Sequence, residues 1–464
     1  MHMKTAFNPE LIQRYDGIGP RYTSYPTAPQ FHTRFGNTEF LEALRDSNED
    51  SIPRSLSLYA HIPFCFSPCF YCGCHRIITR DNARKQDYLD TLLKEIQRIS
   101  EAVDDDREAV QLHLGGGTPN ALSTDQLAQL MRQFERCFRF AAPGQRDFSI
   151  EVDPRTVSEA DVFELQAMGF NRISLGIQDF DPQVQAAINR LQDTDQIGAL
   201  TQACRSAGFH SVNFDLIYGL PLQNRASFQD TLNTVSRFRP DRIALYSYAH
   251  MPTLFKAQKQ ISVTQLPNPA LKLELFQCAV EHLIAEGYVY IGMDHFALPE
   301  DELARAQRNG DLHRNFMGYT TRKQTDLLGF GVSAISQVAD CYAQNAKDIP
   351  SWAASIEHGM TAIVRGLTTT LDDRIRAEVI QQLMCQGRVC FAAVERRFGI
   401  QFHDYFRDAL SELEPLVEDG LLTVEDGILQ VLPNGHLLLR VIASRFDAYL
   451  PKQTSPGLLQ LKVQ

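Results

Sequence analysis

From residue 55 onward, short apolar runs alternate with helical patterns, and this alternation limits the fold more than any other feature. The pattern predicts strands over 56–62, 110–114, 148–152, 172–177, 211–217 and 242–248. Most are rich in Ile, Val, Leu and Phe, as strands buried on both faces are. Helical signals lie between them. Ser123-Thr124-Asp125-Gln126 reads as a capping box, and Leu127, Leu130, Met131, Phe134 and Phe138 follow at helical spacing. Asp181-Pro182 reads as an N-cap with proline at the first helical position, on a helix that carries Arg190. Six β–α units imply a parallel sheet, and right-handed crossovers curl it into a barrel or part of one. Loops at the carboxyl ends of such strands carry the chemistry.

Directly after the first strand stands Cys65-Phe66-Ser67-Pro68-Cys69-Phe70-Tyr71-Cys72-Gly73-Cys74, a C-x3-C-x2-C-x-C run. The other six of the ten cysteines are scattered, so this is no disulfide scaffold. Three thiolates on one short loop suit three corners of a 4Fe-4S cube and leave the fourth iron open. A structural zinc site is the alternative, but zinc knuckles pair two C-x2-C units, and the second is missing. Cys74 is either a fourth ligand, which would close the open iron, or a residue outside the ligand set.

Leu114-Gly115-Gly116-Gly117-Thr118-Pro119 ends the second strand. Its glycines let backbone amides approach a ligand closely. No Gly-Lys-Ser/Thr follows, so it is not a P-loop, and G-x-G-x-x-G is absent. Glu151 is a carboxylate in an apolar strand and needs a partner. From the residues alone, a buried salt bridge and a ligand contact are both open. The net charge of -11 argues against nucleic acid as the main partner. No apolar run approaches the ~18 residues that span a bilayer, and residues 1–15 show no secretory pattern. The chain is expected to be a cytoplasmic monomer with no membrane span.

C-x3-C-x2-C with an aromatic residue, Tyr71, before the last cysteine resembles the radical S-adenosylmethionine (SAM) superfamily. The resemblance implies that Cys65, Cys69 and Cys72 hold a 4Fe-4S cluster and that SAM binds the open iron. One electron from the cluster then cleaves SAM to methionine and a 5'-deoxyadenosyl radical. The fold implied is α/β, a partial (β/α)6 TIM-like barrel with an N-terminal arm and a small, mostly helical C-terminal domain. The domains expected are an arm over 1–50, the barrel over 51–300, an extension over 301–364 that includes the polar, Gly-rich connection 328–331, and the helical part over 365–464. In that last part helices are expected over 372–384, 391–398, 403–413 and 434–446, with a hairpin over 421–431. The last ~15 residues match no feature.

Within the superfamily the chain resembles the oxygen-independent coproporphyrinogen III oxidases. The matching stretches are Gly19-Pro20-Arg21-Tyr22-Thr23-Ser24-Tyr25-Pro26-Thr27-Ala28, Tyr71-Cys72-Gly73-Cys74, Asp215-Leu216-Ile217-Tyr218-Gly219-Leu220-Pro221, Tyr248-Ala249-His250, Gly292-Met293-Asp294-His295-Phe296 and Leu312-His313-Arg314-Asn315-Phe316. By that resemblance Tyr59, Gly116, Glu151 and Ile335 contact the cluster-bound SAM. Tyr71, Gly117, Thr118, Gln178, Arg190, Asp215 and Ala249 contact a second SAM. Where Tyr71 stands, the family often has Phe. The implied reaction turns two propionates of a porphyrinogen into vinyl groups, with flavodoxin or ferredoxin as reductant. A substrate with four carboxylates calls for arginines, and Arg21, Arg80 and Arg314 are the candidates. A haem-binding chaperone on the same barrel is the alternative. Such relatives generally lack the Pro20–Ala28 arm and the cysteine at position 74.

Overall fold

The computed structural model describes residues 5–15 and 19–451. Residues 452–464, which fall within the unmatched end of the sequence, lie outside the described residues, as do 1–4. The described residues form two compact units: residues 31–282 with 324–368, and those described within 1–30 with 283–323 and 369–451. This differs from the sequential domains expected. Residues 31–50 fold with the barrel because His32 and Gly366 exchange both backbone hydrogen bonds, at 2.9 and 3.1 Å. Residues 283–323 fold with the C-terminal residues, whose core includes Ile291, Leu303 and Leu312.

In the first unit, all six expected strands are present. They are β1 (Leu56–Ile62), β2 (Glu108–Gly116), β3 (Asp147–Val152), β4 (Arg172–Gln178), β5 (Ser211–Tyr218) and β6 (Arg242–Ser247). Each pairs in parallel with the next. Leu56, Leu58, Ala60 and Ile62 are fully buried. Each Leu or Ile withdrawn from water contributes roughly 1.5–3 kcal/mol. The expected caps form as well: Ser123 and Gln126 make the reciprocal capping box, and the Asp181 carboxylate accepts from the Gln183 and Val184 amides.

Residues 328–331 are not a polar connection. They belong to a seventh parallel strand and its exit, β7 (Asp326–Phe330), which is buried throughout and pairs with the free edge of β1. Antiparallel strands β8 (Ile335–Val338), β9 (Cys341–Asn345) and β10 (Ile363–Thr368) continue the sheet. Gly329 marks a close approach, since a Cβ there would lie 2.5 Å from the Ile335 carbonyl oxygen.

The second unit is mostly helical. Its helices include Leu371–Gln386, Phe391–Phe398, Phe402–Tyr405 and Arg407–Glu418. The single helix expected over 403–413 is therefore two. The break falls at Phe406, which leaves helical geometry and packs its ring against Phe402 and Phe446. The expected hairpin, Leu422–Glu425 with Ile428–Val431, gains a third strand, Arg388–Cys390. The helix expected over 434–446 opens as a 3-10 turn, Pro433–Leu438, before Leu439–Ser444. The arm over 20–27 has no regular structure but is not a free linker. The Tyr22 hydroxyl donates to Asp447 at 3.1 Å, and the Tyr25 hydroxyl accepts the Ala448 amide at 2.8 Å. Both rings are buried in this unit's core.

Candidate active site

The cysteines lie on a loop at the carboxyl end of β1. Its neck is closed by parallel pairing of Phe64–Cys65 with Ile77–Ile78, and the Thr79 amide donates to the Cys65 carbonyl at 3.0 Å. Cys69 is buried, Cys65 and Cys72 are partly buried, and Cys74 is exposed. The Cys74 amide donates to the Cys72 sulfur at 3.4 Å. Burial, reinforced by the neighbouring sulfurs, pushes the Cys65 thiol up to about 12. A thiolate in that position needs a cation to hold it, which iron supplies in a cluster site.

Arg190 sits beside the loop, although not on the helix that Asp181 begins. That helix is short, Pro182–Ala187, and Asn189 at φ +56° turns the chain so that Arg190 points back at the sheet. Its guanidinium donates to the Gly176 carbonyl at 2.6 Å, to Asp153 at 3.2 Å and to the Cys69 sulfur at 3.3 Å. Arg155 adds a second cation near Cys69, at 3.7 Å, and pairs with Asp153 at 2.6 Å. Burial alone would raise the Asp153 carboxyl, but Arg190 and Arg155 hold it below its ordinary range. Asp153 and Arg155 escape sequence reasoning; their one signal is an Asp-Pro step just past a strand end.

At the end of β2, Gly116 adopts φ +118°, and a Cβ there would lie 2.7 Å from the His61 ring. Its amide donates to the Glu151 carboxylate at 3.2 Å. His113 reaches the same carboxylate at 3.3 Å and meets the Ser149 hydroxyl at 2.6 Å. Tyr59 stacks on His113 and bonds to His61 at 3.1 Å. Enclosure would raise the Glu151 carboxyl, but His113 and the Gly116 amide hold it below the usual carboxylate range. Glu151 keeps 43% of its side-chain surface open. It is thus not sealed in a buried ion pair but stands available to a ligand. Gly117 and Thr118 continue from Gly116, and the Gly117 amide returns to the Ile62 carbonyl at 2.9 Å.

Further round the barrel, Gln178 ends β4 at φ +67° and Asp215 lies on β5. Asp215 accepts from Ser174 at 3.0 Å and Asn213 at 2.9 Å. Enclosure and the Glu151 charge push its carboxyl up to about 7. Tyr71 packs against the apolar group of Ile188, Tyr248 and Ile261. The buried Gln258 amide donates to the Tyr71 carbonyl at 3.0 Å and the Ala249 carbonyl at 3.2 Å, so it ties two expected contact residues together.

Ile335, which opens β8, is reached through a turn that buried groups clamp from below. Glu95 accepts from the Gly331 amide and from Asn345, both at 2.7 Å. The Tyr88 hydroxyl donates to the His61 carbonyl at 2.7 Å and accepts the Val332 amide at 3.2 Å. Burial pushes the Glu95 carboxyl up to about 7, against the pull of those donors. Such a carboxyl binds its proton more tightly folded than unfolded, where its value is ~4.3. Its stabilising contribution is therefore complete below about pH 4 and lost as pH rises through about 7. Between about pH 5 and pH 8 the urea midpoint is expected to fall, and to fall less in Glu95→Gln. Equal slopes in the two proteins would contradict this.

The arginine candidates divide. Arg80 is exposed just past the cysteine loop. Arg21 and Arg314 belong to the other unit and lie together: Arg314 Nε donates to the Arg21 carbonyl at 3.2 Å, and Arg21 pairs with Asp294. Arg314 is 4% exposed, lies over the Tyr319 ring at 4.6 Å and, among the described residues, leaves Nη1 without a hydrogen-bond partner.

The family model described as Radical SAM superfamily matches residues 59–235, and that described as HemN C-terminal domain matches residues 369–438. The oxygen-independent coproporphyrinogen III oxidase of Pseudomonas aeruginosa is 47% identical over 442 residues, covering 95% of this chain and 96% of that protein. The chain belongs to the oxygen-independent coproporphyrinogen III oxidase family. The family's Escherichia coli representative is 48% identical over 441 residues, covering 95% of each chain. The solved structure of the E. coli coproporphyrinogen III oxidase (HemN), described as a radical SAM enzyme, superposes with a TM-score of 0.91. That match has 45% identity and covers 97% of this chain and 100% of that one.

Radical SAM proteins use a 4Fe-4S cluster and SAM, and the donor set here fits both. Among the described residues, no three His, Cys, Asp or Glu side chains converge tightly enough to hold a single metal ion. The fit rests on three thiols of one loop, with two guanidinium groups against Cys69, and on an accessible carboxylate held ionised beside the Gly116 amide.

Proposed function

We propose that this chain catalyses the oxygen-independent oxidative decarboxylation of two propionate side chains of coproporphyrinogen III, giving the vinyl groups of protoporphyrinogen IX in haem biosynthesis. The observation that carries this reading is the three-cysteine loop at the carboxyl end of β1, in a chain matched along 95% of its length to enzymes of that name. In each round a hydrogen atom leaves the β-carbon of the propionate, and CO2 and one electron follow. The cluster and SAM, when bound, supply the one-electron chemistry that generates the hydrogen-abstracting radical.

The chain's own residues bind and orient. Cys65, Cys69 and Cys72 hold the cluster. Glu151, kept ionised by His113 and the Gly116 amide, accepts hydrogen bonds from the ribose hydroxyls of SAM, while Tyr59, Gly116 and Ile335 complete that site. Tyr71, Gly117, Thr118, Gln178, Arg190, Asp215 and Ala249 take a second SAM. Most donors of Arg190 are already engaged, so it serves that site chiefly by fixing Cys69 and Gly176. Arg314, with Nη1 uncommitted, is the strongest candidate for a substrate carboxylate, and Arg21 and Arg80 are the others. Among the described residues no helix is long and apolar enough to cross a membrane. A cytoplasmic monomer reduced by a flavodoxin or ferredoxin belongs to the same proposal.

The test is an anaerobic assay of cluster-loaded protein with SAM, dithionite and coproporphyrinogen III. Vinyl product together with 5'-deoxyadenosine is expected. Deoxyadenosine without vinyl product points to another substrate, and haem retention without turnover points to a chaperone. Glu151→Gln is expected to weaken SAM binding roughly tenfold in anaerobic equilibrium dialysis while leaving cluster iron unchanged. Unaltered SAM affinity would remove Glu151 from the site.

A further inference from the structure

Arg76 stands four residues past Cys72, on the limb that returns from the cysteine loop, and no site named above uses it. Its Nη1 donates to the Cys72 carbonyl at 3.1 Å and the Cys74 carbonyl at 3.5 Å, and its Nη2 donates to the Cys69 carbonyl at 3.2 Å. One guanidinium therefore gathers the carbonyls of three cysteines, two of them expected ligands. Within residues 69–74, all described, the backbone supplies one hydrogen bond of its own, from the Cys72 amide to the Cys69 carbonyl at 3.3 Å. The loop's shape thus depends on contacts from side chains and neighbouring segments, such as Gln258 at the Tyr71 carbonyl and Ile188 at the Phe70 amide, rather than on regular structure, and Arg76 supplies those at the cysteine carbonyls. The guanidinium suits the task because its donors are fixed in one plane, whereas a lysine ammonium is a point charge on a flexible stem.

The charge of Arg76 is also uncommitted. Arg155 and Arg190 both pair with Asp153, but among the described residues no carboxylate lies within ion-pair distance of Arg76. A loop that gathers several thiolates collects negative charge, and an unpaired cation held at its backbone offsets it.

We propose that Arg76 is a positioning residue of the cysteine loop: its fork holds Cys69 and Cys72 in place to present their sulfurs, and its charge stabilises the loaded loop. The proposal rests on the reading of Cys65, Cys69 and Cys72 as cluster ligands.

The experiment compares wild type, Arg76→Gln and Arg76→Lys after anaerobic reconstitution. Iron and sulfide per chain, the rate of iron loss to a chelator and the midpoint potential of the cluster are measured. Arg76→Gln is expected to lose iron roughly tenfold faster and to show a more negative midpoint potential, because a positive charge beside the cluster is gone. Arg76→Lys keeps the charge and lacks the fork, so the potential returns toward wild type while iron loss stays fast. A merely structural arginine would not separate the two readouts. Should the Gln variant fail to fold, the Lys variant decides, and wild-type retention in it overturns the proposal. A loaded wild type with equally retentive variants overturns the proposal alone. A wild type that takes up neither iron nor sulfide overturns both the proposal and the reading beneath it.

Discussion

Cys65→Ser, Cys69→Ser and Cys72→Ser are each expected to lose the cluster and to lower turnover by at least about a thousandfold, which corresponds to roughly 4 kcal/mol of barrier. The reason is coordination. Thiolate is the ligand iron–sulfur clusters prefer, and a serine hydroxyl offers a harder oxygen that stays protonated at neutral pH. Cys74 is exposed, and its amide already donates to the Cys72 sulfur. Cys74→Ser is therefore expected to keep most of the cluster iron. Anaerobic iron and sulfide analysis of the four variants separates the roles. Complete loss of iron from Cys74→Ser would mean a fourth protein ligand and no open iron for SAM.

The second large effect concerns stability. Asp326, at the start of β7, and Arg107, just before β2, form an ion pair at 2.5 Å, with side chains 1% and 0% exposed. Asp326 also accepts from Ser47 and from the Ala339 amide at 3.0 Å. Arg107 donates further to the Arg54 carbonyl at 2.9 Å and to Asn48 at 3.0 Å. This knot joins β7, the approach to β2 and the helix Asn37–Asn48. Asp326→Ala leaves a buried guanidinium without its anion and is expected to cost about 3–5 kcal/mol, read as a lower urea midpoint. The double variant Arg107→Met/Asp326→Leu removes both charges and is expected to recover most of the loss. A single variant with an unchanged midpoint would show that the pair is dispensable.

The six parallel strands are legible in the sequence because most are short runs rich in Ile, Val, Leu and Phe, set between helical patterns. The cysteine spacing is legible for a similar reason, since its chemistry is contained within ten consecutive residues. What is not legible arises from partners far apart in the chain. Glu95 meets Asn345 across 250 residues, and Arg107 meets Asp326 across 219. No local pattern encodes such contacts. β7 reads as a connection because Gly329 and Gly331 resemble turn residues, whereas Gly329 is small to let Ile335 pass. Arg388–Cys390 is too short to read as a strand until Ile428–Val431 pairs with it. Arg190 reads as helical because a turn at Asn189 carries no glycine or proline to announce it. Tyr88, Asp153, Arg155, His113 and Gln258 support the site from behind, and singly each resembles an ordinary core or surface residue.

The most direct measurement is the electron paramagnetic resonance spectrum of the anaerobically purified, reduced protein, recorded with and without SAM and paired with metal analysis. Four irons and four sulfides per chain are expected, with a spectrum that changes when SAM is added, because one iron has no side-chain ligand. Zinc in place of iron, or a cluster whose spectrum ignores SAM, would contradict the assignment of Cys65, Cys69 and Cys72.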